Sequence, residues 1–218
     1  MSEDKSLYTL RNLQSGENED GHLYHVISKE HIDEVEKSWK PVLQSHLSDL
    51  KEKHQFDTDA FDAQKFTDEA GKLNIQDAHW RWEKKYELFS TQIGYSSCAL
   101  VCDGNIQGLG VFDITEKYKS RIITEKKTGV VYIEYIATAP WNRKQINNQM
   151  YGGIGLALVT HAINVSFDEG MEGRIGLHSL PQAEGFYKNV CNMEDFGIDA
   201  DKNMRYFEMS HEQAADWL

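Results

Sequence analysis

Apolar and polar positions alternate over His22 to Ile27, with Leu23, His25 and Ile27 on one side and Tyr24 and Val26 on the other, which predicts a first strand. Ser28 then stands as an N-cap for a helix that carries Ile32, Val35, Trp39, Val42 or Leu43, Leu47 and Leu50 at helical spacing. Pro41 is expected to split or kink that helix, since its ring meets the preceding turn and it has no N–H to donate. A weakly helical polar segment from Phe56 ends at Gly71. A second strong helix is predicted from about Ile75 to Ile93, where Ile75, Ala78, His79, Trp82, Tyr86, Phe89 and Ile93 form one stripe.

From Tyr95 the pattern changes to strands. Tyr95 to Cys102 is apolar and bounded by Asp103-Gly104-Asn105, a hairpin turn from which Ile106 to Thr115 returns. A charged connection, Arg121 to Gly129, leads to a strand over Val130 to Ala139 and a polar loop over Pro140 to Met150. A helix to Asp168 follows, then a strand over Gly173 to Ser179, a helix over Pro181 to Val190, and closing strands near Asp195 to Ile198 and Met204 to Met209. The predicted order is β-α-α-β-β-β-α-β-α-β-β, a single mixed α/β domain over residues 21–218 with a central sheet. Residues 1–20 read as a flexible or loosely docked tail.

Composition narrows the function classes. The 218 residues suffice for a sizeable core, and 40% hydrophobic with 11% aromatic content argues for a folded chain. The formal net charge of −12 argues against a nucleic-acid partner, which would require a basic face. It is compatible with a cationic substrate. No apolar run approaches the roughly 20 residues of a membrane span, and the first residues lack a signal-peptide pattern, so a cytoplasmic protein with no membrane partner is expected. Cys98, Cys102 and Cys191 lack metal-ligand spacing and read as buried thiols; no metal is expected, and His22-x-x-His25 reads as strand surface.

The segment with chemistry in it is the strand Val130–Ala139, its loop, and Tyr151-Gly152-Gly153-Ile154-Gly155-Leu156 opening a helix. Glycines there let the backbone approach a bulky anion, and first-turn N–H groups with the helix dipole favour a pyrophosphate. Close helix packing would demand the same glycines. No Gly-Lys-Ser/Thr follows, which excludes a Walker loop, and the dinucleotide fingerprint lacks its third glycine.

About thirty residues later come the strand Arg174 to Ser179 and the segment Ala183-Glu184-Gly185-Phe186-Tyr187-Lys188-Asn189. With these two pieces the chain resembles the GNAT N-acetyltransferase superfamily over roughly residues 95–210. Gly153-Ile154-Gly155 matches the family's glycines, and Ala183 with Tyr187 matches its Ala-x-x-x-Tyr motif. Two positions depart from the pattern: Met150 stands where the family has Arg or Gln, with Gln149 beside it, and Leu180 stands where asparagine is common.

The resemblance implies an α/β (α+β) fold with a mixed, mostly antiparallel sheet flanked by helices. It implies an acetyl-CoA-dependent N-acetyltransferase in which a primary amine, free or on a protein, attacks the thioester directly. The alternative is a catalytically inactive CoA-binding regulatory module. Homodimers are common in the family, so one is among the assemblies implied. Acetyl-CoA would lie in the gap between the strands at Val130–Ala139 and Gly173–Ser179. It would touch Ile136, Ala137 and Thr138, Tyr151, Gly152, Gly153, Ile154, Gly155 and Leu156, and Tyr187, with Arg143 supplying positive charge.

By the same resemblance the backbone N–H near Ile136 or Ala137 donates to the oxyanion and Tyr187 protonates the thiolate; Tyr187 also suits plain aromatic packing. Glu134 is the candidate base, or else a solvent-facing residue or partner of the substrate ammonium. His178 is a candidate proton relay or a core hydrogen-bonder, and Trp80 a candidate acceptor-pocket wall.

Overall fold

The computed structural model describes residues 5–125 and 127–218. Among the described residues nine strands form one sheet in the order β6-β1-β2-β3-β4-β5-β7-β9-β8. The chain begins with an antiparallel hairpin of β1 (Lys5–Asn12) and β2 (Asn18–Tyr24), so the tail expected over residues 1–20 is replaced by strand from Lys5 onward. The first four residues lie outside the described ones. The hairpin is hard to read locally because β1 is polar: Leu10 alone among its residues is fully buried. The strand expected at His22 to Ile27 accordingly sits earlier, over Asn18–Tyr24.

Helix α1 (Lys29–Lys53) starts at Ser28, whose side chain accepts from the His31 N–H in a capping box. It runs through Pro41 without interruption, so Pro41 does not split it. Pro41 is exposed, as is Lys37 four residues before it, so the carbonyl that loses its partner faces water. Helix α2 (Ala63–Lys72) follows, then α3 (Trp82–Phe89). The helix expected from Ile75 therefore starts seven residues late. Residues 75–80 form tight turns, with Ala78 N–H donating to Ile75 and Trp80 N–H to Asp77, because Asp77 is held across the fold by Arg143.

Strands β3 (Tyr95–Cys102) and β4 (Asn105–Asp113) pair through the expected turn, where Asp103 and Gly104 both take positive φ. Then come β5 (Val131–Thr138), the two-residue β6 (Tyr151–Gly152), α4 (Ile154–Asp168), β7 (Ile175–Ser179) and α5 (Glu184–Asn189). Strands β8 (Glu194–Asp199) and β9 (Met204–Met209) and a terminal α6 (His211–Trp217) complete the order.

Both sheet faces are covered. Leu158, Val159, Ala162 and Ile163 of α4 pack with Leu100, Phe112 and Ile133 on one side. Ile32, Val35 and Trp39 of α1 pack with Ala99, Leu109, Val111 and Ala137 on the other. Gly108 lets α4 approach closely, since a Cβ there would lie 2.7 Å from Ile154 Cγ2. No helix among the described residues is long and apolar enough to cross a membrane.

Candidate active site

Strands β5 and β7 are parallel neighbours, yet they pair only at Val131–Ile175 and Tyr132–Gly176. Beyond those two pairs they part. Glu134 is the extra residue of a bulge, because Val111 faces Tyr135 and Phe112 faces Ile133. The opened fork belongs to a cavity of about 640 Å³ lined by Tyr132 to Thr138 from β5, and by Leu177 to Leu180 at the end of β7. Ala139 N–H donates to Gln107 at 2.9 Å, which sets the alternation of the β4–β5 ladder. In that register Tyr135 and Ala137 bond to β4, and the backbone groups of Ile136 and Thr138 turn toward the fork.

The same cavity reaches the start of α4 along Gly153, Ile154, Gly155 and Leu156. Gly153 caps the helix at φ 80°, ψ 0°. Ala157 N–H donates to the Gly153 carbonyl, so the N–H groups of Ile154, Gly155 and Leu156 have no intrahelical partner and point out of the helix end. Opposite lie Ala183, Phe186 and Tyr187. Tyr187 is 6% exposed, and burial raises its pKa.

Comparison with known proteins rests on structure. No protein-family model matches the chain, and no curated protein does either. Among solved structures, PaiA N-acetyltransferase from Thermoplasma acidophilum in complex with coenzyme A matches 87% of this chain and 98% of its own, at 9% identity and TM-score 0.51. The GNAT domain of S. lividans PAT matches 96% of this chain and 98% of its own, at 10% identity and TM-score 0.50. The chain spans 66% of another matching structure, at TM-score 0.42. The fold is the GNAT fold.

On this GNAT scaffold titratable groups gather at the fork. Glu134 is partly buried and its pKa is raised, first by burial, with Lys117 Nζ 3.9 Å away opposing. Lys117 itself is paired with Asp113. Lys85 rests over Tyr135 at 3.3 Å and Trp80 at 4.3 Å from the ring centroids, and burial lowers its pKa to about 8. Both rings line the cavity, so Trp80 is part of its wall. His178 also lines it, 2.7 Å from the Tyr132 hydroxyl.

Most of the residues predicted from sequence meet in this cavity: Glu134, Ile136, Ala137, Thr138, Gly153, Ile154, Gly155, Leu156, His178, Tyr187 and Trp80. Ala137 is less apt as a donor than Ile136, because its backbone faces β4. Tyr151 and Gly152 fall outside the lining. Tyr151 is buried with its hydroxyl donated to Glu19, and Gly152 pairs with Arg11 of β1. Arg143 reaches the cavity, but its guanidinium is held by both oxygens of Asp77 at 2.7 Å, so it brings no free positive charge. Met150 packs against the core while Gln149 faces the cavity, so the polar side chain is displaced by one position from the family motif. Tyr132, Asp77 and Asp199 carried no local sequence signal, since each acquires its meaning from a partner on another element. Among the described residues no cluster of His, Cys, Asp or Glu is placed to hold a metal ion.

Proposed function

We propose that this protein is an acetyl-CoA-dependent N-acyltransferase in which a primary amine attacks the thioester directly. The carrying observation is one continuous cavity that joins the free N–H groups of α4 to the β5–β7 fork and to Tyr187. The pyrophosphate would sit on the N–H groups of Ile154, Gly155 and Leu156, with Gln149 at its edge. The Ile136 carbonyl and the Thr138 N–H would hold the pantetheine arm as a strand would, by main-chain bonds, the Thr138 carbonyl being taken by Arg143.

Glu134 takes a proton from the incoming ammonium, since burial has brought its proton affinity toward the working range. The Ile136 N–H donates to the carbonyl oxygen as charge develops there. Tyr187 hands its hydroxyl proton to the departing thiolate. The acceptor enters past Trp80 and Tyr135, whose aromatic faces suit an amine-bearing group.

Thiol release from acetyl-CoA with a panel of small amines and peptides tests the reading. Release that depends on the amine is expected, and Tyr187→Phe should lower kcat about 100-fold while acetyl-CoA still raises the melting temperature. A wild-type melting temperature indifferent to saturating acetyl-CoA would sink the proposal. Stabilisation without thiol release for any amine would favour the inactive regulatory module.

The sign of the pH dependence is set by Glu134. Its raised pKa means that the base is protonated and idle at low pH, and kcat climbs as pH rises through a point above the ordinary carboxylate range. Glu134→Gln should remove that limb; a wild-type pH profile retained in the variant would strip Glu134 of the base role.

A further inference from the structure

Tyr132 and His178 face each other where β5 and β7 separate, with the Tyr132 hydroxyl 2.7 Å from His178 Nδ1. The other ring nitrogen, Nε2, lies 3.3 Å from Asp199 Oδ2. Asp199, at the end of β8, is itself fixed by the Arg121 guanidinium and by the Asp201 N–H at 3.0 Å. Arg121 in turn lies over the Tyr206 ring, 4.0 Å from its centroid. Tyr118 stacks on Tyr132 at 3.8 Å and 16°, which fixes the phenol plane.

Nε2 is buried without a well-aligned hydrogen bond, but a lone pair there would face the ionised Asp199 carboxylate 3.3 Å away, so electrostatics favours the N–H on that side of the ring. His178 is then the Nε2–H tautomer, and Nδ1 accepts the Tyr132 hydroxyl proton. The groups facing His178 are Tyr132 from β5, Asp199 from β8, Tyr206 from β9, Lys202 from the β8–β9 turn and Arg121 from the loop before β5. Burial first, then the two cations, lower its pKa against the pull of Asp199, which leaves the imidazole neutral and able to accept. Tyr132 and His178 both line the cavity, while Asp199 and Arg121 stand behind them.

We propose that Tyr132, His178 and Asp199 form a proton relay that removes the second proton of the acceptor amine. The proposal rests on the acyl-transfer reading. A primary ammonium must lose two protons on its way to an amide, and Glu134 accounts for the first. When the C–N bond forms and the C–S bond breaks, the nitrogen still carries one proton too many. The Tyr132 oxygen takes it as its own O–H proton passes to His178 Nδ1, and Asp199 steadies the imidazolium. Tyr187 supplies the thiolate's proton and is restored from solvent, to which Glu134 and His178 release theirs. One net proton is produced per ammonium consumed. Tyr132 is the catalytic residue of the relay; Asp199 and Arg121 are positioning residues.

Two measurements on the full chain test the relay. Nitrogen-15 NMR of the imidazoles should show His178 as the Nε2–H tautomer, and Asp199→Asn should move its titration to lower pH. In thiol-release kinetics Tyr132→Phe keeps the ring on Tyr118, and should lower kcat about 100-fold with KM for acetyl-CoA unchanged. An Nδ1–H tautomer in the wild type, or Tyr132→Phe turnover within about twofold of wild type, would overturn the relay and leave the acyl-transfer reading standing. A wild type that releases no thiol with any amine would sink both.

Discussion

Arg143→Met is expected to destabilise the protein by about 3–5 kcal/mol, the range for breaking a buried ion pair from one side. The Arg143 side chain is 3% exposed and grips Asp77 through two 2.7 Å bonds. It also donates to the carbonyls of Asn74 at 2.7 Å and Thr138 at 2.8 Å. Removing it strands the Asp77 carboxylate, which is buried, and leaves those carbonyls short of a donor. Arg143 thereby joins three separate segments: the turns before α3, the end of β5 and the loop before β6. Urea denaturation measures the loss, and the double variant with Asp77→Asn should recover part of it, because the stranded charge is gone. A single-variant cost below about 1 kcal/mol would show that water or a neighbouring group replaces the guanidinium.

Gly153→Val should weaken acetyl-CoA binding roughly 100-fold, equivalent to about 2.8 kcal/mol. Two effects act together. At φ 80° a branched side chain is strained, by about 1–2 kcal/mol or more in the left-handed region. The Cβ itself would meet nothing within 4 Å, so the new side chain projects into open space beside the N–H groups that the pyrophosphate would occupy. Calorimetric titration with acetyl-CoA reads the effect. Unchanged affinity would move the phosphate site away from α4.

Much of the scaffold was legible because it is written in local patterns. Ser28 caps α1 as expected, since an N-cap needs only its own helix's N–H groups. Strand β3 spans Tyr95–Cys102, and Asp103-Gly104 turns it into β4, because the twist of a hairpin demands residues that accept positive φ. The glycines before α4 and the Ala183–Tyr187 spacing led to the same cavity that the structure displays. The first strand of the β1–β2 hairpin is not legible locally because a mostly polar, exposed strand has almost no hydrophobic period to read. The start of α3 was missed because Asp77, inside the expected helix, is drawn to a guanidinium 66 residues away. Helix α6 begins on its own capping box, Ser210 with Gln213, but its seven residues are too few to show a helical period.

By itself, the sequence determined which segments are helix or strand over most of the chain and that Gly153 and Gly155 stand at the α4 N-terminus. These depend on backbone sterics and on side-chain spacing within one element. The tertiary structure alone decided that β5 and β7 part after two residue pairs, with Glu134 on the bulge. It alone turned the Ile136 backbone toward the fork, spent the charge of Arg143 on Asp77, and placed His178 between Tyr132 and Asp199. Pairings of that kind join residues far apart in the chain, and no local period encodes them.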